Sequence, residues 1–362
     1  MGSPGFMVFS APWSFVCRGC FMEENRGGAG QGFAGFRFLE TSQSLPLVIE
    51  PNDSTSETDR FSWVSDHRGG IAQKLLLHGA VLFRGFAIDS IAEFRLLINP
   101  LIAEAMRHPE MIAGRDEVGE GVYTPTKYPA DQQIAPHNEH SASLTFPGKL
   151  AFWCQVPAQQ GGETPIIDTR KVYQRIDPRV REKFERLGWM FVRNYHDLPG
   201  RRWQTVFQTE SKAVVESYCT ENKIHYEWKS GNYLRTWRVR PAVIHHPITR
   251  DLAWFNHVAF FHVATLPPLI QKSIRSTYSE MDFPNNTYYG DGSTIDDDTV
   301  RNLQQAYRSE MVSFPWRKGD VLLIDNIMTA HARNSFSGPR QILLVLADPV
   351  TRNDVVFDSG RQ

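Results

Sequence analysis

The chain has few cysteines, almost no net charge and no long apolar run. Four Cys among 362 residues are too sparse for the disulfide framework of a small secreted scaffold. Cys17-Arg-Gly-Cys20 has CxxC spacing, yet no second pair completes a zinc site, so it reads as two thiols in an irregular leader. Lys and Arg total 39 against 40 Asp and Glu, a net charge of −1. No basic block is left for nucleic acid or an anionic membrane. No hydrophobic stretch approaches the roughly 20 residues of a membrane span. Residues 1–30 lack the basic start and small-residue cleavage site of a secretory signal, which gives the expectation of a cytoplasmic protein. Internal repeats and low-complexity tracts are absent.

Aromatic residues are plentiful, at 12%, and favour a sheet-rich core over a helical bundle. Residues 1–57 read as a partly irregular N-terminal extension, and 58–362 as one catalytic domain. Asn52 to Arg60 is polar and reads as a loop. Helical spacing marks Ile71 to Leu77, Ile91 to Ala105, Lys171 to Leu187, Ser211 to Asn222 and Gln271 to Met281. Short apolar runs predict strands at Ala80–Phe83, Leu150–Val156, Thr164–Ile167, Val321–Ile324 and Gln341–Ala347. Gly161-Gly162, Gly231-Asn232, Gly319 and Gly338-Pro339 supply the turns. Many short strands between Gly/Pro turns, with helices outside, predict a mainly β fold with flanking helices, built as a double-sheet barrel.

The chemistry centres on His137-Asn138-Glu139. Non-haem iron oxygenases need two imidazoles and one carboxylate on one face of the metal, with the other face open. In an extended segment positions i and i+2 point the same way, so His137 and Glu139 can share an ion. A third ligand must come from a distant strand. Alone the triplet is weak, because with 12 His and 40 acidic residues chance supplies about one His-x-acid triplet. Another, His225-Tyr226-Glu227, lies among hairpin signals and reads as surface. The first triplet has context: Gly161-Gly-Glu-Thr164 follows it, and Asp325-Asn326 precedes His331, with Arg340 nine positions on. A dicarboxylate cosubstrate needs a cation and a hydroxyl at its far end, and Arg340 with Thr164 offers both. Two His and a carboxylate also suit a zinc hydrolase, but the Arg340–Thr164 pair has no purpose there.

This order of residues resembles the taurine dioxygenase–like branch of the iron/2-oxoglutarate dioxygenases over about residues 60–350. Tyr123-Thr-Pro-Thr-Lys-Tyr-Pro-Ala-Asp131, Trp254-Phe-Asn256 and Asn286-Thr-Tyr-Tyr-Gly-Asp-Gly292 look similar too. Within that branch the chain is most similar to syringomycin-type aspartyl hydroxylases and clavaminate synthase–like proteins, which also use Glu as the carboxylate ligand. The resemblance implies a double-stranded β-helix (jelly-roll) core, Fe(II) held by His137, Glu139 and His331, and 2-oxoglutarate anchored by Thr164 and Arg340. It implies O2 as oxidant and hydroxylation of a small polar substrate, an amino acid either free or presented on a carrier protein. Glu139 argues against chlorination, since halogenating relatives lose the carboxylate. Leu344 stands where taurine dioxygenase carries a sulfonate-binding Arg, which argues against a sulfonate. Desaturation, cyclisation or epimerisation by the same centre, and a metal-binding jelly roll without turnover, are the rival readings. Substrate-contact candidates are Tyr123, Thr126, Lys127, Asn138, Asn256, Tyr289 and Arg333. His245, His246, His257 and His262 read as core or hydrogen-bonded groups, with His262 the reserve ligand.

Overall fold

The computed structural model describes residues 36–40, 45–52, 56–106, 115–195 and 202–355. Cys17, Cys20 and most of the expected extension lie outside them. An eight-stranded sheet runs in the order Phe36–Glu40, Leu47–Pro51, Ala80–Phe83, Val321–Asp325, Thr145–Val156, Gln341–Thr351, Val122–Tyr123, Glu117–Gly119. It is antiparallel except where Leu47–Pro51 pairs with Ala80–Phe83. A four-stranded sheet, in the order Met311–Val312, Ile166–Asp168, Thr329–Arg333, Ile134–His137, carries the chemistry.

The unbroken apolar runs of the central strands follow from burial on both faces. Ala151, Trp153, Val321, Leu323, Leu343 and Val345 enter the core beneath the helices. Their alternate neighbours, Leu150, Phe152, Leu322, Ile324, Ile342 and Leu344, face inward with Ile166 of the smaller sheet. Helices Glu57–Asp66, Arg68–His78 and Ile91–Ile98 cover the outer face, with Trp63, Leu75 and Phe94 buried against it. A second four-stranded sheet holds the hairpin His225–Lys229/Tyr233–Arg240 beside Trp189–Tyr195 and Asn285–Tyr289.

Strands Phe36–Glu40 and Leu47–Pro51 extend the main sheet, and Phe36 stacks on Trp63 at 3.9 Å. Several expected loop and helix bounds need correction. The loop expected to run to Arg60 ends earlier, because a helix begins at Glu57. The helix expected to reach Ala105 stops at Ile98, where Asn99-Pro100 turns the chain into a 3-10 segment. The expected helix Lys171–Leu187 is two, Thr169–Arg175 and Pro178–Leu187. Pro178 has no N–H to continue the first and sits naturally at the start of the second. The helix placed at Gln271–Met281 is Pro268–Thr277.

Candidate active site

His331 lies on the inner strand of the smaller sheet and pairs in register with His137 on its neighbour. Cross-strand partners stand close enough for their side chains to meet, and the two imidazole centroids are 4.4 Å apart. Glu139 comes from beyond the strand end, in a turn. The extended i, i+2 rule therefore does not place it. Asn326 does. Its Oδ1 accepts from the Glu139 N–H at 2.8 Å, and its Nδ2 donates to the Glu139 and Pro147 carbonyls at 3.0 and 2.7 Å. The Asn138 side chain donates in turn to the Asn326 carbonyl at 2.6 Å. Asp325 fixes the turn that carries Asn326 by accepting from the N–H groups of Ile327 and Met328.

The result is a group of three ligand atoms, from His137, Glu139 and His331, all within 4.8 Å of one another. His137 Nδ1 meets the Ala135 carbonyl at 2.9 Å, so that nitrogen holds the proton and Nε2 keeps its lone pair. Burial lowers the pKa of His137, and that of His331 by more. Burial opposes ionisation of Glu139, but the Arg115 guanidinium and the nearby imidazoles outweigh it and hold the carboxyl well below its usual range. Two neutral imidazoles and one carboxylate are the protonation states that metal ligation needs. Phe152 packs 5.2 Å from His331, and Phe260 packs 4.9 Å from His137.

The two residues expected to anchor a cosubstrate lie side by side. Arg340 Nη2 donates to Thr164 Oγ1 at 3.3 Å, and its Nε donates to the Gly162 carbonyl at 2.8 Å. Burial pulls its pKa down to about 10, and no carboxylate of the described residues pairs with it. Gly162 has φ +72°, and a Cβ there would stand 2.9 Å from Arg340 Cδ, so the turn admits the arginine only with glycine beneath it.

The remaining sequence candidates are distributed differently. Tyr123 is buried on the inner face with Phe152 and Leu344. Thr126 Oγ1 accepts from Arg115 at 3.3 Å. Lys127 is exposed and paired with Asp116. Asn256 hydrogen-bonds the Ala242 carbonyl and the Val258 N–H, and Tyr289 packs against Phe184 in a separate cluster. Arg333 clamps the carbonyls of Tyr128, Pro129 and Gln132. The reserve ligand His262 caps a 3-10 turn through Ala264 N–H. His246 bridges Asp325 and the turn at Ile248-Thr249. His225 stacks on Trp237, and Glu227 pairs with Arg235 at the surface. Three residues escaped the sequence reading. Arg115 Nη2 reaches Glu139 Oε2 at 2.9 Å, His140 Nε2 lies 3.2 Å from Glu139 Oε1, and Trp316 donates to Thr164 at 3.1 Å. His140 directly follows the triplet in the chain, whereas no spacing links Arg115 or Trp316 to it.

Residues 49–347 match the family model described as taurine catabolism dioxygenase TauD, TfdA family. The dapdiamide synthesis protein DdaC of Enterobacter agglomerans is 37% identical over 305 residues, covering 84% of this chain and 92% of that one. A clavaminate synthase-like protein of Arabidopsis thaliana is 31% identical over 326 residues, covering 84% and 94%. Among solved structures, PvcB, titled an Fe, alpha-ketoglutarate dependent oxygenase from an isonitrile synthetic pathway, has TM-score 0.51 at 14% identity, covering 92% of this chain and all of that one. That likeness shows the jelly-roll fold. Among the described residues no helix is long and apolar enough to cross a membrane.

Proposed function

Since the chain belongs to the TauD/TfdA family of Fe(II)/2-oxoglutarate-dependent dioxygenases, we propose that it hydroxylates an unactivated C–H bond of an amino acid, free or bound to a carrier protein. The convergence of His137, Glu139 and His331 within 4.8 Å carries this reading. When bound, iron and 2-oxoglutarate supply the oxidising chemistry, with succinate and carbon dioxide as the cosubstrate's products. His137 and His331 offer neutral nitrogens, and Glu139 a carboxylate oxygen. Asn326 and the Ala135 carbonyl orient these groups, as second-layer partners do in metal sites. Arg340 and Thr164 take the distal carboxylate of the cosubstrate. Phe152 and Phe260 exclude water from the imidazoles.

The amino-acid substrate follows from the resemblance in sequence, and a biosynthetic role fits one relative, a dapdiamide synthesis protein. The inward side chain at position 344 is a buried leucine, which offers no cation to a sulfonate. The test is succinate release from 2-oxoglutarate with iron, screened over free amino acids and aminoacyl carrier thioesters. A product heavier by one oxygen is expected. A product lighter by two hydrogens replaces hydroxylation with desaturation, and iron-independent turnover removes the proposal.

A further inference from the structure

Arg115 is a buried charge beside the metal triad that the family's known parts leave without a complete role. Its side chain is 7% exposed. Nη2 donates to Glu139 Oε2 at 2.9 Å and to Thr126 Oγ1 at 3.3 Å. Nε and Nη1 are buried and have no hydrogen-bond partner among the described residues. A guanidinium keeps its charge and can only donate, and buried N–H groups left unpaired are rare because each is costly. Moreover, Glu139 is its sole ion-pair partner among the described residues. Once that carboxylate shares its charge with a metal cation, Arg115 is left short of an anion.

Resting on the oxygenase reading above, we propose that the free N–H groups of Arg115 form a carboxylate-binding site beside the metal, distinct from the Arg340–Thr164 anchor. Two sources present that chemistry: the keto-acid end of 2-oxoglutarate, and a carboxylate on the substrate. The site lies against Glu139, while Arg340 holds the far end of the cosubstrate, so one dicarboxylate need not serve both.

The test uses the full chain loaded anaerobically with Fe(II), as wild type, R115Q and R115K, and follows binding by calorimetry. 2-Oxoglutarate is titrated first, then acetate into the iron–2-oxoglutarate complex. A loss of 2-oxoglutarate affinity of about ten- to hundredfold in R115Q, measured with Fe(II) saturating in every variant, is the scale of hydrogen bonds to charged groups; it supports the site and assigns it to the cosubstrate. Unchanged 2-oxoglutarate binding with acetate binding lost supports it and assigns it to the substrate. If both affinities match wild type, or wild type itself takes no acetate while 2-oxoglutarate is unaffected, the proposal is overturned. R115K keeps the charge but loses the planar donors, so it carries the same test should R115Q not fold. Failure of wild type to bind 2-oxoglutarate overturns the oxygenase reading and this one together, and is recognised because it needs no substitution.

Discussion

Replacing Asn326 with alanine removes the staple between the two halves of the proposed metal triad. Asn326 is fully buried, and its side chain satisfies the Glu139 N–H and the carbonyls of Glu139 and Pro147. Alanine leaves three buried backbone groups unpaired. At about 1–2 kcal/mol apiece the loss comes to roughly 3–6 kcal/mol, against a net stability of about 5–15 kcal/mol for a typical domain. Part of the loss falls on the site itself, because the Glu139 backbone is freed in a turn with no strand to hold it. Urea unfolding of the metal-free protein measures the first effect, and an anaerobic iron titration measures the second. N326A is expected to lower the urea midpoint and weaken iron binding about tenfold or more. N326D keeps the Oδ1 acceptor but sets a buried carboxylate oxygen against the Glu139 and Pro147 carbonyls, so it is expected to cost at least as much as N326A. A stability loss below about 1 kcal/mol with unaltered iron affinity would refute the reasoning, since water would then be filling the staple's place at no cost.

Three further outcomes follow from the same geometry. R340K keeps a charge but loses the fork that reaches Thr164 and Gly162 together. 2-Oxoglutarate affinity is expected to fall about ten- to hundredfold with iron binding intact, read by calorimetry. G162A forces a side chain onto a left-handed backbone and onto Arg340, and is expected to weaken 2-oxoglutarate binding with the same sign. The buried histidines make stability of the metal-free protein pH-dependent. His262 is pushed down to about 4, and His137, His257 and His331 are lowered too, all by burial. These groups stay neutral in the fold, while the unfolded chain takes up protons below its ordinary value of 6.5. Their stabilisation is therefore complete above that pH and is lost progressively as pH falls toward the folded values. For His262 the share is roughly 3 kcal/mol at most. H262N keeps an acceptor for the Ala264 N–H without titrating in this range, so its urea midpoint is expected to fall less between about pH 7 and about pH 5.

Much of this was legible in the sequence because it depends on period and punctuation. The central strands announced themselves as apolar runs between glycine turns, since both their faces are buried. The distal histidine and arginine could be paired with the first triplet because they sit on adjacent stretches of one strand–turn–strand unit. What stayed hidden depends on contacts between distant residues. Nothing in the chain near Arg115 shows that its guanidinium reaches Glu139, twenty-four positions on. Asn326 enters the sequence reading only as part of the context before His331, and only the fold brings Glu139 against it. The helix breaks at Asn99-Pro100 and Asp177-Pro178 were visible as proline signals, but apolar spacing continues through both and conceals them. Asn256 and Asn138 are substrate candidates because they lie near the segments shared with the family. The side chains of both donate to backbone carbonyls, a common reason to bury an amide.

Equilibrium titration of Fe(II) under argon, on the wild-type chain and on E139A, bears most directly on the whole account. One ion per wild-type chain is expected, with binding lost or weakened by orders of magnitude in E139A. An E139A protein that takes up iron with wild-type affinity and stoichiometry would contradict the assignment of this centre.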